Sequence, residues 1–127
     1  MLSENEILNE FRAIKKLCVD HSHKNLVAVY RYGKLPDSLY YYIDMELCEL
    51  NLEEYIHEFE FKLSSTSQEL PSLLPLDTKS LMLIMRDVSR GLAFIHENDE
   101  VHRDIKPRNS NTSYSAGLTR SLIFNQT

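Results

Sequence analysis

The feature that most constrains the fold of this 127-residue chain is a long helical periodicity in its second half. Asp77 is a candidate N-cap, and apolar residues recur at every third or fourth position from there to a break at Asn98-Asp99. Gly91 inside this helix costs about 1 kcal/mol relative to alanine, so we expect close packing against its backbone. The predicted apolar face consists of Leu81, Ile84, Met85, Val88, Leu92 and Ile95.

The first half of the sequence combines another helix with two strand patterns. Ser3 and Glu6 have the spacing of a capping box, and helical periodicity follows them as far as Cys18. Two runs rich in β-branched and aromatic residues, Leu26 to Tyr32 and Leu39 to Met45, are separated by a turn-forming linker. This arrangement predicts an antiparallel hairpin. Helices beside a hairpin give an α+β fold class.

Three further segments complete the chain. Residues 51–58 are predicted to form a short helix, and the Ser- and Pro-interrupted residues 61–76 are predicted to form a surface loop. Residues 110–127 are rich in Ser, Thr and Asn, and we expect them to be a divergent polar tail.

Charge and composition exclude several classes of function. Acidic residues outnumber basic ones by 19 to 14, and the net charge of −5 argues against nucleic acid or an anionic membrane as the main partner. No apolar run approaches the length that spans a bilayer, and the acidic first six residues lack a signal-peptide pattern. We therefore expect a cytoplasmic or nuclear protein. Cys18 and Cys48 have no metal-site spacing and are expected to act as small buried hydrophobes.

The strongest chemical signal is the polar loop that follows the long helix, with the sequence HRDIKPRN from His102 to Asn109. Asp104 and Lys106 are two residues apart, so in an extended loop both side chains can face one side. A carboxylate there could accept a proton, and an ammonium could neutralise a phosphoryl oxygen. Asn109 offers a neutral oxygen that suits Mg²⁺. The spacing alone leaves two interpretations open: a phosphoryl-transfer site, or a solvated turn with accidental charges.

The pattern H-R-D-x-K-P-x-N resembles the catalytic loop of eukaryotic protein kinases. The lysine two residues after the aspartate resembles the serine/threonine branch of that family. Other parts of the family pattern follow in the expected order between Glu6 and Asn109. These are NEFRAIKKL for the small-lobe helix C, HKNLV for a strand entry, YYYIDMELCELNLEEYI for the strand, hinge and first large-lobe helix, and GLAFIHENDEVHRD for the helix before the loop.

The resemblance implies a partial protein-kinase-like fold within the α+β class. Residues 1–48 would be the end of the small lobe, with helix C, two antiparallel strands and the hinge. Residues 49–109 would be the start of the helical large lobe as far as the catalytic loop. The polar segment 110–127 would lie outside this partial domain.

The resemblance also implies a role for each matching residue. Asp104 would be the base that accepts the proton of a substrate hydroxyl, Lys106 the cation beside the transferred phosphate, and Asn109 a Mg²⁺ ligand. The backbones of Glu46 and Cys48 would meet the adenine edge of ATP, next to a gatekeeper at Met45. Periodicity alone places Glu10 on the flank of its helix with its carboxylate in water, whereas the resemblance makes it the ion-pair glutamate of helix C. ATP and Mg²⁺ would be cofactors, and a protein would be the substrate.

Several family motifs do not occur in these 127 residues. No Gly-rich loop and no V-A-I-K lysine precede Glu10, and no D-F-G follows Asn109. Because the parts of a phosphoryl-transfer site act as a unit, we expect the chain alone to be inactive. Two alternatives stay open: a non-catalytic module that binds a protein partner through exposed apolar faces, or an incomplete gene product without a function of its own.

Overall fold

The computed structural model describes residues 2–48, 50–57, 78–113 and 118–121. Helices and two small antiparallel sheets alternate along the chain, which confirms the predicted α+β class. The predicted loop at 61–76 and the candidate cap Asp77 lie outside the described residues. In chain order the elements are α1 (Glu4–Ile14) with a π-helical continuation (Lys15–Val19), β1 (Val29–Lys34), β2 (Tyr41–Met45), β3 (Leu50–Asn51), α2 (52–57), α3 (Thr78–Glu97), a 3-10 turn (Pro107–Asn109), β4 (Ser110–Ser113) and β5 (Leu118–Ser121).

Helix α1 begins with the predicted capping box. The Ser3 hydroxyl accepts the Glu6 backbone N–H at 3.3 Å, and the Ser3 backbone N–H donates to the Glu6 carboxylate at 2.7 Å. At its other end the helix widens, and the Asp20 N–H donates to the Lys15 carbonyl at 2.8 Å. Ile14 and Leu17 are fully buried, so the predicted periodicity identified the covered side of this helix.

The predicted hairpin is confirmed, and α1 covers it. Strands β1 and β2 pair antiparallel from Val29 opposite Met45 to Lys34 opposite Tyr41, with an irregularity after Val29. Such a hairpin is marginal in water unless something packs against it. The α1 residue Phe11 supplies part of that cover, with its ring 4.9 Å from that of Tyr32. The buried residues of this first cluster are Ile14, Val27 and Val29.

A second sheet has the strand order β3-β4-β5. Leu50 lies opposite Thr112, and β4 pairs with β5 from Ser110 opposite Ser121 to Ser113 opposite Leu118. The segment that we expected to be a polar tail therefore includes two paired strands. The division of the chain between residues 109 and 110 stays a prediction. No helix in the described part of the chain is long and apolar enough to cross a membrane.

The structure agrees with the predicted apolar face of α3 at four of its six residues, which are buried or half-buried, and differs from it elsewhere. Asp87, Gly91 and Ile95 are buried, whereas Leu81 and Met85 are exposed. The reason is that α3 meets its neighbours through a hydrogen-bonding carboxylate and a close backbone approach, which apolar periodicity does not report. A Cβ on Gly91 would lie 2.8 Å from the backbone oxygen of Asn25. Below this contact a second buried cluster forms from Leu17, Leu26 and Ile95.

Gly91→Ala should destabilise the protein by about 1–2 kcal/mol, because the carbonyl of Asn25 belongs to the backbone and cannot yield easily. This is the net loss, because the cost of the clash exceeds the gain in helix propensity of about 1 kcal/mol. Urea unfolding followed by circular dichroism would measure the change, with Ser89→Ala on the exposed side of α3 as the control. A Gly91→Ala variant as stable as the parent would contradict the close packing.

Cys18 should be chemically inert in the folded protein. It packs against both apolar clusters, and burial raises the pKa of its thiol to about 12. Because the thiolate is the nucleophile, alkylation by iodoacetamide at pH 8.5 should be at least about a hundredfold slower in buffer than in urea. Peptide mass spectrometry would follow the modification of Cys18. Equal rates in the two solvents would show that the thiol is accessible.

Candidate functional site

The polar loop after α3 is anchored by a buried histidine. His102 is buried, and its Nδ1 accepts the backbone N–H of Asp104 at 3.2 Å. Between them Arg103 has a φ of 65°, a left-handed conformation that is uncommon for a residue with a side chain. Such a backbone persists only when its surroundings hold it, and the His102 contact supplies one such restraint. The loop is thus preorganised around Asp104.

Asp104, Lys106 and Asn109, here called the Asp104 cluster, come together in this loop. The Asn109 side-chain amide donates to the Asp104 carbonyl oxygen at 3.0 Å and to its carboxylate Oδ2 at 2.8 Å. The Lys106 ammonium lies 3.0 Å from the same Oδ2. Asn109 is only 1% exposed, which fixes it at the base of the loop. The three residues that the sequence selected therefore form one hydrogen-bonded group.

The cluster keeps Asp104 ionised. The hydrogen bond from Lys106, with a further one from Asn109, lowers the pKa of the Asp104 carboxyl. Both partners bind Oδ2, and the other oxygen, Oδ1, accepts no hydrogen bond from the residues that the structure describes. A carboxylate held by one oxygen can accept a hydrogen bond from a substrate hydroxyl with the other.

Asn109 also has an oxygen that fits a hard cation. Its Oδ1 is buried and has no hydrogen-bond partner among the described residues. An amide oxygen is a suitable Mg²⁺ ligand, and its orientation is fixed because the amide nitrogen is bound to Asp104. No group of three or more His, Cys, Asp or Glu residues that could hold a metal occurs in the described ranges. The fit therefore rests on one protein oxygen of the Asp104 cluster.

The segment after β2, Glu46 to Cys48, is here called the hinge. The Glu46 backbone N–H donates to the Ala28 carbonyl at 2.9 Å, and the Glu46 carboxylate accepts the Ala28 N–H at 2.8 Å. The same carboxylate forms an ion pair with Arg120 on β5. Met45 and Cys48 pack against the first apolar cluster. Arg120 lies in the expected tail, and no local sequence pattern marks it.

Comparison with known proteins places this geometry in a family. Residues 1–112 match the family model of the protein kinase domain. The chain belongs to the protein kinase domain family. The Asp104 cluster lies within the matched residues, and the mixture of helices with small antiparallel sheets agrees with a partial kinase fold. Of the strands of the second sheet, β5 lies beyond the matched range.

The matched part of the chain is about one-third identical in sequence to curated protein kinases. The chain is 34% identical over 108 residues to the serine/threonine-protein kinase PrkC of Bacillus subtilis, covering 84% of this chain and 14% of that protein. It is 33% identical over 104 residues to the serine/threonine-protein kinase PknA of Corynebacterium glutamicum, covering 82% of this chain and 20% of that protein. The chain therefore spans a fifth or less of these relatives.

Glu10, the predicted ion-pair glutamate of this kinase domain, is half-buried on α1. Within the described ranges no cation pairs with it and no donor reaches its carboxylate. Burial, with a smaller contribution from Glu6, raises the pKa of the Glu10 carboxyl. Partial burial therefore disfavours the charged form of Glu10, and no positive charge among the described residues compensates for it. The role of Glu10 in an ion pair stays a prediction.

The raised pKa of Glu10 has a pH-dependent consequence. The folded protein binds the Glu10 proton more tightly than the unfolded chain does, so the protonated carboxyl stabilises the fold. This contribution is full below a pH of about 4.5 and is lost as pH rises through the folded pKa. Glu10→Gln should therefore raise the thermal midpoint at pH 7, and the gain should disappear near pH 4. The gain should be small, because the side chain still reaches solvent.

Glu4→Gln is the matched control, because Glu4 is exposed in the first turn of α1, where a negative charge favours the helix. It should not raise the midpoint at pH 7. Melting curves of the three proteins between pH 4 and 8 would test this, and a Glu10→Gln variant less stable than the parent at pH 7 would indicate a cation beside Glu10.

Proposed function

We propose that the chain is part of a serine/threonine protein kinase, which transfers a phosphoryl group from ATP to a protein hydroxyl, and that this chain alone does not turn over. The observation that carries the proposal is the convergence of Asp104, Lys106 and Asn109 within hydrogen-bond distance. A proton acceptor, a cation and a metal-binding oxygen in one loop are the groups that phosphoryl transfer requires from a protein.

In this proposal the residues of the Asp104 cluster have separate roles. Oδ1 of Asp104 orients the substrate hydroxyl and accepts its proton as the oxygen attacks phosphorus. Lys106 neutralises charge on the transferred group and also holds Asp104 ionised. Asn109 would bind Mg²⁺ through Oδ1 while its amide nitrogen shapes the loop. ATP supplies the phosphoryl group, and Mg²⁺ would neutralise charge on its phosphates.

The hinge would bind the adenine edge of ATP. The Glu46 N–H is already bonded to Ala28, whereas the Glu46 carbonyl accepts no hydrogen bond from the described residues, so it is the group that could accept from adenine. The backbone of Cys48 would supply the neighbouring contact, and Met45 would close the inner end of the pocket as gatekeeper. These assignments follow from the match to the family pattern.

Two features support the inactivity of the chain as it stands. Glu10 has no cation partner among the described residues, and such a partner is what positions the phosphates of the nucleotide in this family. Asn111 on β4 is half-buried where the family pattern places an apolar residue against adenine. A base without an aligned nucleotide has nothing to act on, because positioning and charge neutralisation supply most of the catalysis.

The proposal is tested in two parts on the purified chain. Incubation with Mg-ATP and a protein substrate should give no phosphotransfer above that of Asp104→Asn, and an Asp104-dependent signal would overturn the proposed inactivity. Mn²⁺, a paramagnetic substitute for Mg²⁺, should broaden the Asn109 side-chain amide signals in NMR spectra of the parent. Asn109→Leu should abolish metal-dependent broadening of the neighbouring amides, and the exposed Asn9→Ala should not. No broadening in the parent would refute the metal assignment.

A second candidate, a non-catalytic binding module, is favoured by the exposed apolar residues of the hairpin and hinge. Leu39 and Tyr40 are exposed beside β2, and Leu47 in the hinge is 98% exposed. Adjacent large exposed apolar groups such as Leu39 and Tyr40 are typical of a protein-binding surface. A folded chain in which Mn²⁺ has no effect on Asn109 would favour this candidate over the kinase proposal.

A further inference from the structure

We propose that Arg120 is a positioning residue for the nucleotide: its ion pair with Glu46 fixes the hinge against β5 and so holds the groups that would meet adenine. The inference rests on the proposed function only for the identity of the ligand. The mechanical part of it, that Arg120 immobilises the hinge, stands on contacts of the chain itself.

The Glu46 carboxylate joins three segments that are distant in sequence. One oxygen accepts the Ala28 N–H at 2.8 Å, and the other forms the ion pair with Arg120. The Glu46 backbone N–H returns to the Ala28 carbonyl at 2.9 Å. The side chain is therefore directed towards residue 28 and β5, and the conformation of the hinge backbone is coupled to the position of Arg120.

Arg120 is itself placed by the neighbouring residue on β5. The Thr119 N–H donates to the Asp87 carboxylate at 3.0 Å, and the Thr119 carbonyl accepts the Asn25 side-chain amide at 3.1 Å. All three of these residues are buried. Because both backbone groups of Thr119 are held by buried partners, the neighbouring Arg120 has a fixed position from which its side chain reaches Glu46.

The burial of the pair decides its energetic weight. The Glu46 and Arg120 side chains are 17% and 26% exposed, so removing one leaves the other as a poorly solvated, unpaired charge. The Arg31–Asp44 pair on the hairpin is different, because its side chains are 77% and 42% exposed and water screens both charges. It provides a matched control with the same residue type.

Packing does not replace the ion pair on this side of the hinge. Arg120 borders a cavity of about 300 Å³ whose wall includes Cys18, Val27 and Ala28. A guanidinium released from Glu46 has room to move into this space, and Glu46 would then keep only its two hydrogen bonds to Ala28. We therefore expect the hinge to open locally when Arg120 is replaced by an uncharged residue.

The first experiment needs no nucleotide. Hydrogen exchange of the Glu46 and Ala28 backbone amides in the full chain should be about tenfold or more faster in Arg120→Met than in the parent, with α1 amides unchanged. Arg120→Lys keeps the charge and should recover part of the protection. Arg31→Met should leave these amides unchanged. Unaltered exchange at Glu46 and Ala28 in folded Arg120→Met would overturn the proposal.

Glu46→Gln covers the case in which Arg120→Met unfolds, because it retains an oxygen for the Ala28 N–H and removes only the charge. The same local acceleration is expected, and unchanged amides in this variant would equally overturn the proposal.

The second experiment uses a fluorescent ATP analogue with Mg²⁺. Affinity should fall in Arg120→Met in proportion to the fraction of molecules whose hinge is still closed, and should recover in part in Arg120→Lys. Equal affinity in the parent and in an Arg120→Met variant whose Glu46 and Ala28 amides have lost their protection would refute the positioning role. If the parent does not bind the analogue but hinge exchange still responds to Arg120→Met, the nucleotide assignment fails while the immobilising role of Arg120 is supported.

Discussion

The described structure depends on a buried polar contact around the backbone of Thr119. Its N–H is bound by Asp87 from the long helix, and its carbonyl is bound by Asn25 from the segment before the hairpin. Buried peptide groups need partners, and here two side chains from distant parts of the chain supply what a further strand would otherwise supply. The contact joins α3, the second sheet and the segment before the hairpin. The close approach of Gly91 to the backbone of Asn25 is part of the same junction.

The Asp104 cluster shows how a short loop can be both strained and well defined. A left-handed Arg103 and the hydrogen bond from Asp104 to His102 set the entry to the loop. The Asn109 amide closes it by binding the carbonyl and the carboxylate of Asp104. The same amide nitrogen that shapes the loop leaves its oxygen as the candidate metal ligand. One side chain therefore couples the orientation of the Asp104 carboxylate to that of the candidate ligand oxygen.

Sequence reasoning succeeded where the interacting residues are close in the chain. The capping box of α1, the hairpin and the Asp104 cluster each involve local spacing, and each is present in the structure. It was correct in part on the face of α3, where Ile95 is buried as expected, but apolar periodicity also selected the exposed Leu81 and Met85 and did not report the buried Asp87. A carboxylate that receives a backbone hydrogen bond carries no apolar signal, whereas the cost of Gly91 inside a helix did predict the close backbone approach that the structure shows.

The sequence by itself determined the family, the α+β class and the residues that meet in the Asp104 cluster, because six consecutive positions and their local backbone suffice to bring these groups together. Only the tertiary structure decided that Arg120 of β5 pairs with Glu46 of the hinge, and that Asp87 and Asn25 bind Thr119. These partners are separated by 74, 32 and 94 residues. Contacts over such distances depend on how helices and sheets pack, and a single sequence contains no local pattern that specifies them.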